Sequence, residues 1–366
     1  LVTAERNLRN AERTRDLTAK DTTKATQRLQ AAEATSVKAN ESLALSEALF
    51  KEIEQKASQR KTDQIRTLAF SPDGTLLAVG TQEHGLRLWS TVTGQPLDVI
   101  YSSPVSSVII GPEGHLLASH SEKGLLHWTR TSEWKLRRTL GDQEREDPFP
   151  DRVLSLAFHP NGQVLAAGSG IPSRDGSLTL WNIADGQMQG VIKAHQDTIT
   201  GLAFSPDGRR IASSSTDRYI RIHQIDTQEM LTQLEGHTSH VLDVAWSADG
   251  ETIASAGADH VAKLWTVATR KQKKTEAGFK KELTTIAFVG TGENIVTGGG
   301  DKVLKAGGQN LPSIDDFIYD TAVSADGSII LAGGENGILR VWQAGDRKLL
   351  YSFPSPGKTS PETASK

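Results

Sequence analysis

Apolar and polar positions alternate in short bursts from Ile65 to Phe353, and most bursts end in a polar turn closed by glycine. Val153-Leu-Ser-Leu-Ala-Phe158 and Ile199-Thr-Gly-Leu-Ala-Phe204 carry the two-residue period of a strand. A turn of the Ser-Pro-Asp-Gly kind follows, then a second apolar strand. The turn glycines are Gly74, Gly114, Gly162, Gly208, Gly250, Gly292 and Gly327, spaced 40, 48, 46, 42, 42 and 35 residues apart. A period of about 42 residues with four short strands per unit predicts radially stacked sheets, a seven-bladed β-propeller. Such a ring exposes its rims, which suits binding better than catalysis.

Upstream the pattern changes. The first proline is Pro72 and the first glycine Gly74, although the chain holds 13 Pro and 33 Gly. The preceding stretch, rich in Ala, Glu, Lys, Arg, Gln and Leu, predicts a long α-helix. A heptad stripe through Ala4, Leu8, Ala11, Ala25, Leu29, Ala32, Ala39, Leu43 and Phe50 predicts coiled-coil pairing, hence a homo-oligomer through residues 1–60. Pro354 to Lys366 has no periodicity and reads as a flexible tail. The expected fold class is therefore all-β, a propeller preceded by a long α-helical coiled-coil segment. The expected domains are 1–62 helix, 63–355 propeller and 356–366 disordered tail.

Composition narrows the chemistry. A net charge of −3 over 366 residues argues against a nucleic-acid partner. The absence of cysteine removes disulfides, thiolate metal ligands, a cysteine nucleophile and covalent haem attachment. No apolar run is long enough to predict a membrane span. The chain begins at Leu1 and its only methionines are Met188 and Met230, so it is expected to be a piece of a longer protein.

The fifth unit shows the local grammar most fully. Gly236-His237 precedes the strand His240–Trp246, Thr252–Ala256 forms the next, and Asp259 stands six residues before Trp265. These residues resemble a blade of the WD-repeat family. The resemblance implies a hydrogen-bonded tetrad of His237, Ser255, Asp259 and Trp265, whose role is bracing. The six-residue offset recurs from Glu83 to Trp89, Glu122 to Trp128, Asp175 to Trp181, Asp217 to His223 and Asn336 to Trp342. Partial tetrads are therefore expected around His195, Asp217, Asp175, Trp181, Trp89, Trp128 and Trp342. Only His195 and His237 occupy the loop-histidine position, and the Trp-Asp dipeptide itself is absent. The sixth unit, around Lys302–Asn310, predicts a truncated outer edge. Because each unit owns its strands in order, the ring is expected to close by blade-to-blade packing, without a donated strand.

A narrower resemblance rests on Gly168–Ser177, Gly236–Val241, Gly278–Leu283 and Asp315–Asp320 behind a helical rod. These are similar to bacterial, planctomycete-type proteins that join a c-type cytochrome domain, coiled coil and propellers. That resemblance implies an extracytoplasmic, periplasmic protein with haem c in an upstream domain; no cofactor is expected in this chain.

Candidate sites follow. His237 and His240, with His260 nearby, have no metal-site partner set, so no metal is expected. The insertion Ile171-Pro-Ser-Arg174 lengthens a rim loop, and with His240, His260, Lys280 and Lys281 it forms the expected partner surface. Arg270 to Lys274 with Lys280 and Lys281 is basic; Asp142 to Asp151 is acidic. No catalytic constellation stands out. The leading expectation is a non-catalytic protein–protein interaction scaffold, with the rod for oligomerisation or spacing. The alternatives are an accessory part of a cytochrome-linked redox assembly and a propeller enzyme whose channel carries Asp243 and Asp320.

Overall fold

The computed structural model describes residues 63–353 except 113–114, 121–123, 131–133, 141–148, 150 and 152. The chain divides at Lys61/Thr62, and the described residues belong to the second unit. They form seven antiparallel four-stranded sheets, each built from consecutive strands. The innermost strands are Ile65–Phe70, Ser107–Ile110, Ser155–Phe158, Ile199–Phe204, Val241–Trp246, Leu283–Phe288 and Ile318–Val323. Each touches the next, and the last touches the first, so the sheets close into a ring around a central channel.

The expected fold class needs one correction: the described part of the molecule is all-β. Among the described residues there is no helix, and the expected coiled-coil segment 1–62 lies outside them, as does the tail 356–366. The blades are not equivalent, and the truncated outer edge expected of the sixth is present. Six sheets have four strands of at least four residues, whereas blade six ends in strands of three and two residues, Leu304–Ala306 and Gln309–Asn310. The glycine pair Gly307-Gly308, with φ of 57° and 77°, turns the chain before a longer strand can form. Leu311, 4 % exposed, then covers the apolar cluster that the shortened strands leave uncapped.

The core lies between blades, not in one centre. Ala157, Ala166 and Leu178 of blade three pack on Ile199, Leu202 and Ile211 of blade four. Ile65 and Leu68 of blade one pack on Leu331 and Leu339 of blade seven. Second strands are sandwiched on both faces, so Thr252–Gly257 is buried throughout, while the outermost Lys271–Glu276 is almost wholly exposed. Polar stitches reinforce these seams. Thr200 Oγ1 donates to the Val241 carbonyl at 2.5 Å and Thr284 Oγ1 to the Ile318 carbonyl at 2.6 Å.

Antiparallel order assigns the connections to two rims. Loops before each first strand, and turns between strands two and three, share one rim, here the loop rim. The hairpins between strands one and two, and three and four, share the other, the hairpin rim.

Candidate functional site: the loop rim and the channel wall

On the loop rim of blade five, His237 Nδ1 faces both Asp259 oxygens at 2.9 and 3.0 Å, and His237 Nε2 faces Ser255 Oγ at 2.7 Å. Trp265 Nε1 donates to the same Ser255 oxygen at 2.9 Å. Asp259 also accepts from the Thr238 amide at 2.9 Å, tying the leading loop to the turn. Burial pushes the His237 imidazole below its ordinary pKa, more than the Asp259 carboxylate raises it. Every polar atom of this chain of contacts has a fixed partner, the arrangement that makes a buried network rigid.

Blade four has the same start and a different end. His195 meets Asp217 at 3.0 Å and Ser213 Oγ at 2.8 Å. His223 stands where blade five has Trp265, 2 % exposed, and its Nδ1 is buried without a hydrogen-bond partner. Arg221 enters the network instead, donating from Nη1 to Asp217 at 2.6 Å and from Nε to Gln233 at 2.7 Å. Burial opposes ionisation of Asp217, but hydrogen bonds and charge from His195, with Arg221, hold its carboxyl well below the usual range.

The other blades keep fragments. Trp181 Nε1 donates to Thr179 Oγ1 at 2.9 Å, and Asp175 accepts from Ser177 Oγ at 2.8 Å. In blade six Asp301 accepts from the Lys280 amide at 2.9 Å, the same loop-to-turn tie as Asp259 to Thr238. Trp342 Nε1 bonds the Pro312 carbonyl at 3.1 Å. Trp128 is buried against Tyr101, and Trp89 tilts against Phe353 across the seam between blades one and seven. Glu122 and most of Asp142–Asp151 lie outside the described residues.

Blades one and seven reverse the polarity of the tie, which the sequence reading missed. Asp63, 1 % exposed, accepts from the Glu83 amide at 2.7 Å, and Asp316, 4 % exposed, from the Asn336 amide at 3.1 Å. The loop supplies the carboxylate there and the turn supplies the N–H. An Asp two residues before an inner strand was the available signal.

The expected surface residues share the loop rim. Ile171 bridges to Asp175 and lifts exposed Arg174; Asp197 accepts from the Ser173 amide at 2.9 Å and lies close enough to His240 to feel its charge. His240, His260, Lys280 and Lys281 are exposed, so blades three to six offer one run of cationic or protonatable groups. Lys271, Lys273 and Lys274 fall within an outer strand, where Lys273 pairs with Glu293 and Lys274 with Glu276.

The channel wall is braced rather than open. In blades one and four to seven the inner strand bulges at its second residue, which leaves the N–H that follows without its regular ladder partner. The preceding blade supplies a side-chain acceptor to three N–H groups of bulged strands, and to one in blade two, whose inner strand is regular: Ile286 N reaches Asp243 at 2.8 Å, Thr321 N reaches Thr285 at 3.1 Å, Leu68 N reaches Asp320 at 2.7 Å and, in blade two, Val108 N reaches Thr67 at 3.1 Å. Blade four has Gly201 at that position, and Val244 N turns to its own Asp243 at 2.8 Å. Burial pushes both Asp243 and Asp320 up to about 7, and Asp320's charge raises Asp243 further. Among the described residues no group of three metal-ligating side chains occurs.

A closed ring of four-stranded sheets, with a complete His–Asp–Ser–Trp chain in blade five and parts of it in others, defines a repeat-built β-propeller. The family profile of the WD domain, G-beta repeat, matches residues 54–90, 143–182, 186–224, 228–266 and 309–343, just over half of the chain. The chain belongs to the WD40 family. The unmatched stretches hold blade two and most of blade six.

Three relatives illustrate the neighbourhood. The periodic tryptophan protein 2 homolog of Schizosaccharomyces pombe is 31 % identical over 188 residues, 45 % of this chain and 21 % of that protein. The chromatin assembly factor 1 subunit FAS2 homolog of Oryza sativa is 30 % identical over 176 residues, 43 % of this chain and 33 % of that protein. Telomerase protein component 1 of Mus musculus is 31 % identical over 156 residues, 42 % of this chain and 6 % of that protein. The chain thus spans a third or less of these relatives. They are fungal, plant and animal proteins, which overturns the expected bacterial setting and, with it, the periplasmic, extracytoplasmic localisation. The cytochrome-linked reading rested on that setting and is withdrawn. No described helix is long and apolar enough to cross a membrane.

Proposed function

We propose that residues 63–355 act as a non-catalytic protein–protein interaction scaffold whose loop rim receives the partner. One observation carries this reading. The His195–Asp217–Ser213 and His237–Asp259–Ser255–Trp265 groups of blades four and five are committed to each other, while Arg174, His240, His260, Lys280 and Lys281 stand exposed above them on a single rim. Rigid support under exposed, chemically varied loops is the arrangement that binding surfaces use. Two relatives are named as a subunit of chromatin assembly factor 1 and as a telomerase protein component, which supports membership of larger assemblies. The run of basic groups favours a partner with an acidic face.

The channel-enzyme alternative has less support. Asp243 and Asp320 accept hydrogen bonds from backbone N–H groups of the next blade, so they serve the ring's own closure.

A photo-crosslinking amino acid placed at Arg174 or Lys280 tests the reading, with Lys271 as a control on the outer strand. The scaffold reading expects the same defined protein captured from both rim positions and none from the control. Equal capture everywhere, or none at the rim, overturns it.

A further inference from the structure

Between blades seven and one, at the hairpin rim, the ring leaves a pocket of about 350 Å³. Phe70, Leu77, Trp89, Leu331, Leu350 and Tyr351 supply its apolar walls, and the Asp73 and Asp326 turns form its edge. The volume falls in the range of small ligand pockets, about 300–1,000 Å³.

Two corresponding seams show why it is open here and filled there. The inner strands of blades one, three, four and five end in an aromatic side chain, Phe70, Phe158, Phe204 and Trp246, beside the hairpin of the preceding blade. Between blades three and four, the His159 imidazole stands edge-on to Phe204 with ring centroids 5.2 Å apart. It fills the space beside Gly208, where an added Cβ would lie 2.3 Å from His159 Nε2. Between blades four and five, the Arg210 guanidinium covers Trp246 at 5.0 Å. At the seam between blades seven and one the matching aromatic is Phe70. Blade seven brings Ser324 and Ala325 to the places held by His159 and Pro206, and Ile329 to the place of Arg210. Nothing lies within 4 Å of a Cβ built on Gly74.

At these two seams the recess is therefore filled by a side chain that brings a nitrogen-rich head onto the aromatic ring. Planar guanidinium groups suit it because they stack on aromatic faces and pair with carboxylates. Both edge carboxylates stay ionised. Asp73 is stabilised by Ser71 Oγ at 2.5 Å and the Thr75 amide at 3.1 Å, and Asp326 by Ser324 Oγ at 2.5 Å and the Ser328 amide at 3.0 Å. Around the mouth Val92 and Tyr351 are 79 % and 58 % exposed, so apolar surface continues outward.

We propose that this pocket is a second partner site, which takes an arginine side chain beside a bulky apolar residue from a segment of another protein. It lies on the rim opposite the surface proposed above and stands without it.

Methyl NMR of the full chain provides the test, with acetyl-Phe-Arg-amide, acetyl-Phe-Glu-amide and indole as probes. The Phe-Arg probe should shift the Leu77, Leu331 and Leu350 methyls saturably. Phe-Glu and indole should bind about tenfold more weakly or worse, a difference of about 1.4 kcal/mol. Ser324→His, which writes blade three's solution into blade seven, should abolish the shifts without lowering Tm. Asp326→Asn should weaken the Phe-Arg probe severalfold while leaving indole unchanged, and does so even if Ser324→His fails to fold. Equal binding of indole or Phe-Glu would make the recess a general apolar cavity and overturn the assignment. So would absence of saturable shifts, or binding that survives Ser324→His in a folded protein.

Discussion

Blades four and five begin from the same instruction and end differently. Both place a histidine ahead of the first strand, a serine in the second strand and an aspartate in the next turn, and both join the three at 2.7–3.1 Å. Blade five completes the chain with Trp265, whose N–H saturates Ser255. Blade four puts His223 there, leaves its Nδ1 unpartnered, and recruits Arg221 to hold Asp217 from the solvent side. In blade five the indole ends the network and the cation beside it, Lys263, turns away to Gln272; in blade four Arg221 bonds Asp217 itself and reaches Gln233. The same fold element can be secured by apolar bulk or by an ion pair, and the two respond differently to substitution.

The largest expected effect comes from removing the bulk. Trp265→Ala deletes a side chain that is 1 % exposed and strips Ser255 of a donor, so it should cost about 3–5 kcal/mol in urea denaturation. His223→Ala should cost roughly 1–2 kcal/mol, because less volume and no paired Nδ1 is lost. Equal losses would break the comparison.

Removing the turn aspartates should invert the order. Asp217→Ala leaves the Arg221 guanidinium 2.7 Å from His195 Nδ1 in a nearly closed site, an uncompensated charge that should cost about 3 kcal/mol or more. Asp259→Ala leaves His237 and the Thr238 amide unpaired and should cost about 1–3 kcal/mol. A stability series of these two variants, with Arg221→Met added to the first, checks whether the charge is responsible. Rescue of Asp217→Ala by Arg221→Met is the expected outcome.

A smaller effect separates these networks from the channel wall through pH. Burial holds His223 and His127 near 4, below the ordinary histidine value of about 6.5, so the unfolded chain binds more protons between those limits. Their contribution is fully present above about 6.5 and declines as pH falls towards 4. Asp243 and Asp320 act oppositely. Their folded values near 7 exceed the ordinary 3.9, so the folded ring binds more protons there and loses stability as pH rises from about 4 to 7. The two slopes partly cancel. Asp243→Asn with Asp320→Asn, which keeps a carbonyl acceptor for Ile286 and Leu68, should expose a steeper loss of Tm on acidification from pH 7.5 to pH 5. An unchanged profile would mean that the channel carboxylates titrate normally.

These contrasts also show what could be read from the chain. The Gly-closed turns, and the six-residue step from Asp259 to Trp265, are local spacings, and local spacing survives into structure. The channel belt was not legible, because each donor is an inner-strand N–H whose acceptor lies on the neighbouring blade, far away in sequence. Asp243 and Asp320 therefore looked like candidate chemistry until the Ile286 and Leu68 amides gave them structural partners. Asp63 and Asp316 were missed because they perform a histidine's task with the hydrogen bond reversed. The pocket at Phe70 was invisible because it arises from what Ser324 and Ala325 lack. The bacterial setting failed for another reason: repeat spacing records how blades are built, and carries no record of the cell that builds them.

The finest test asks whether blade four can be converted into blade five. His223→Trp would place an indole N–H near Ser213 Oγ and remove the unpartnered imidazole nitrogen. Blade five, however, keeps Gly236 beside its tryptophan, where an added Cβ would lie 3.0 Å from Trp265 Cη2. Blade four has Ala194 at that position, 4 % exposed and packed against Ile192 and Leu202. The single substitution should therefore be overpacked, losing about 1 kcal/mol or gaining nothing. Ala194→Gly alone should also destabilise, since it opens space beside a residue that cannot use it. Together the two changes should do better than their sum, with a coupling of about 0.5–3 kcal/mol in a double-mutant cycle. The double variant should also shed part of the stability loss between pH 6.5 and pH 4, because His223 no longer titrates. Additive losses would show that Arg221, rather than the missing indole, decides how blade four is held.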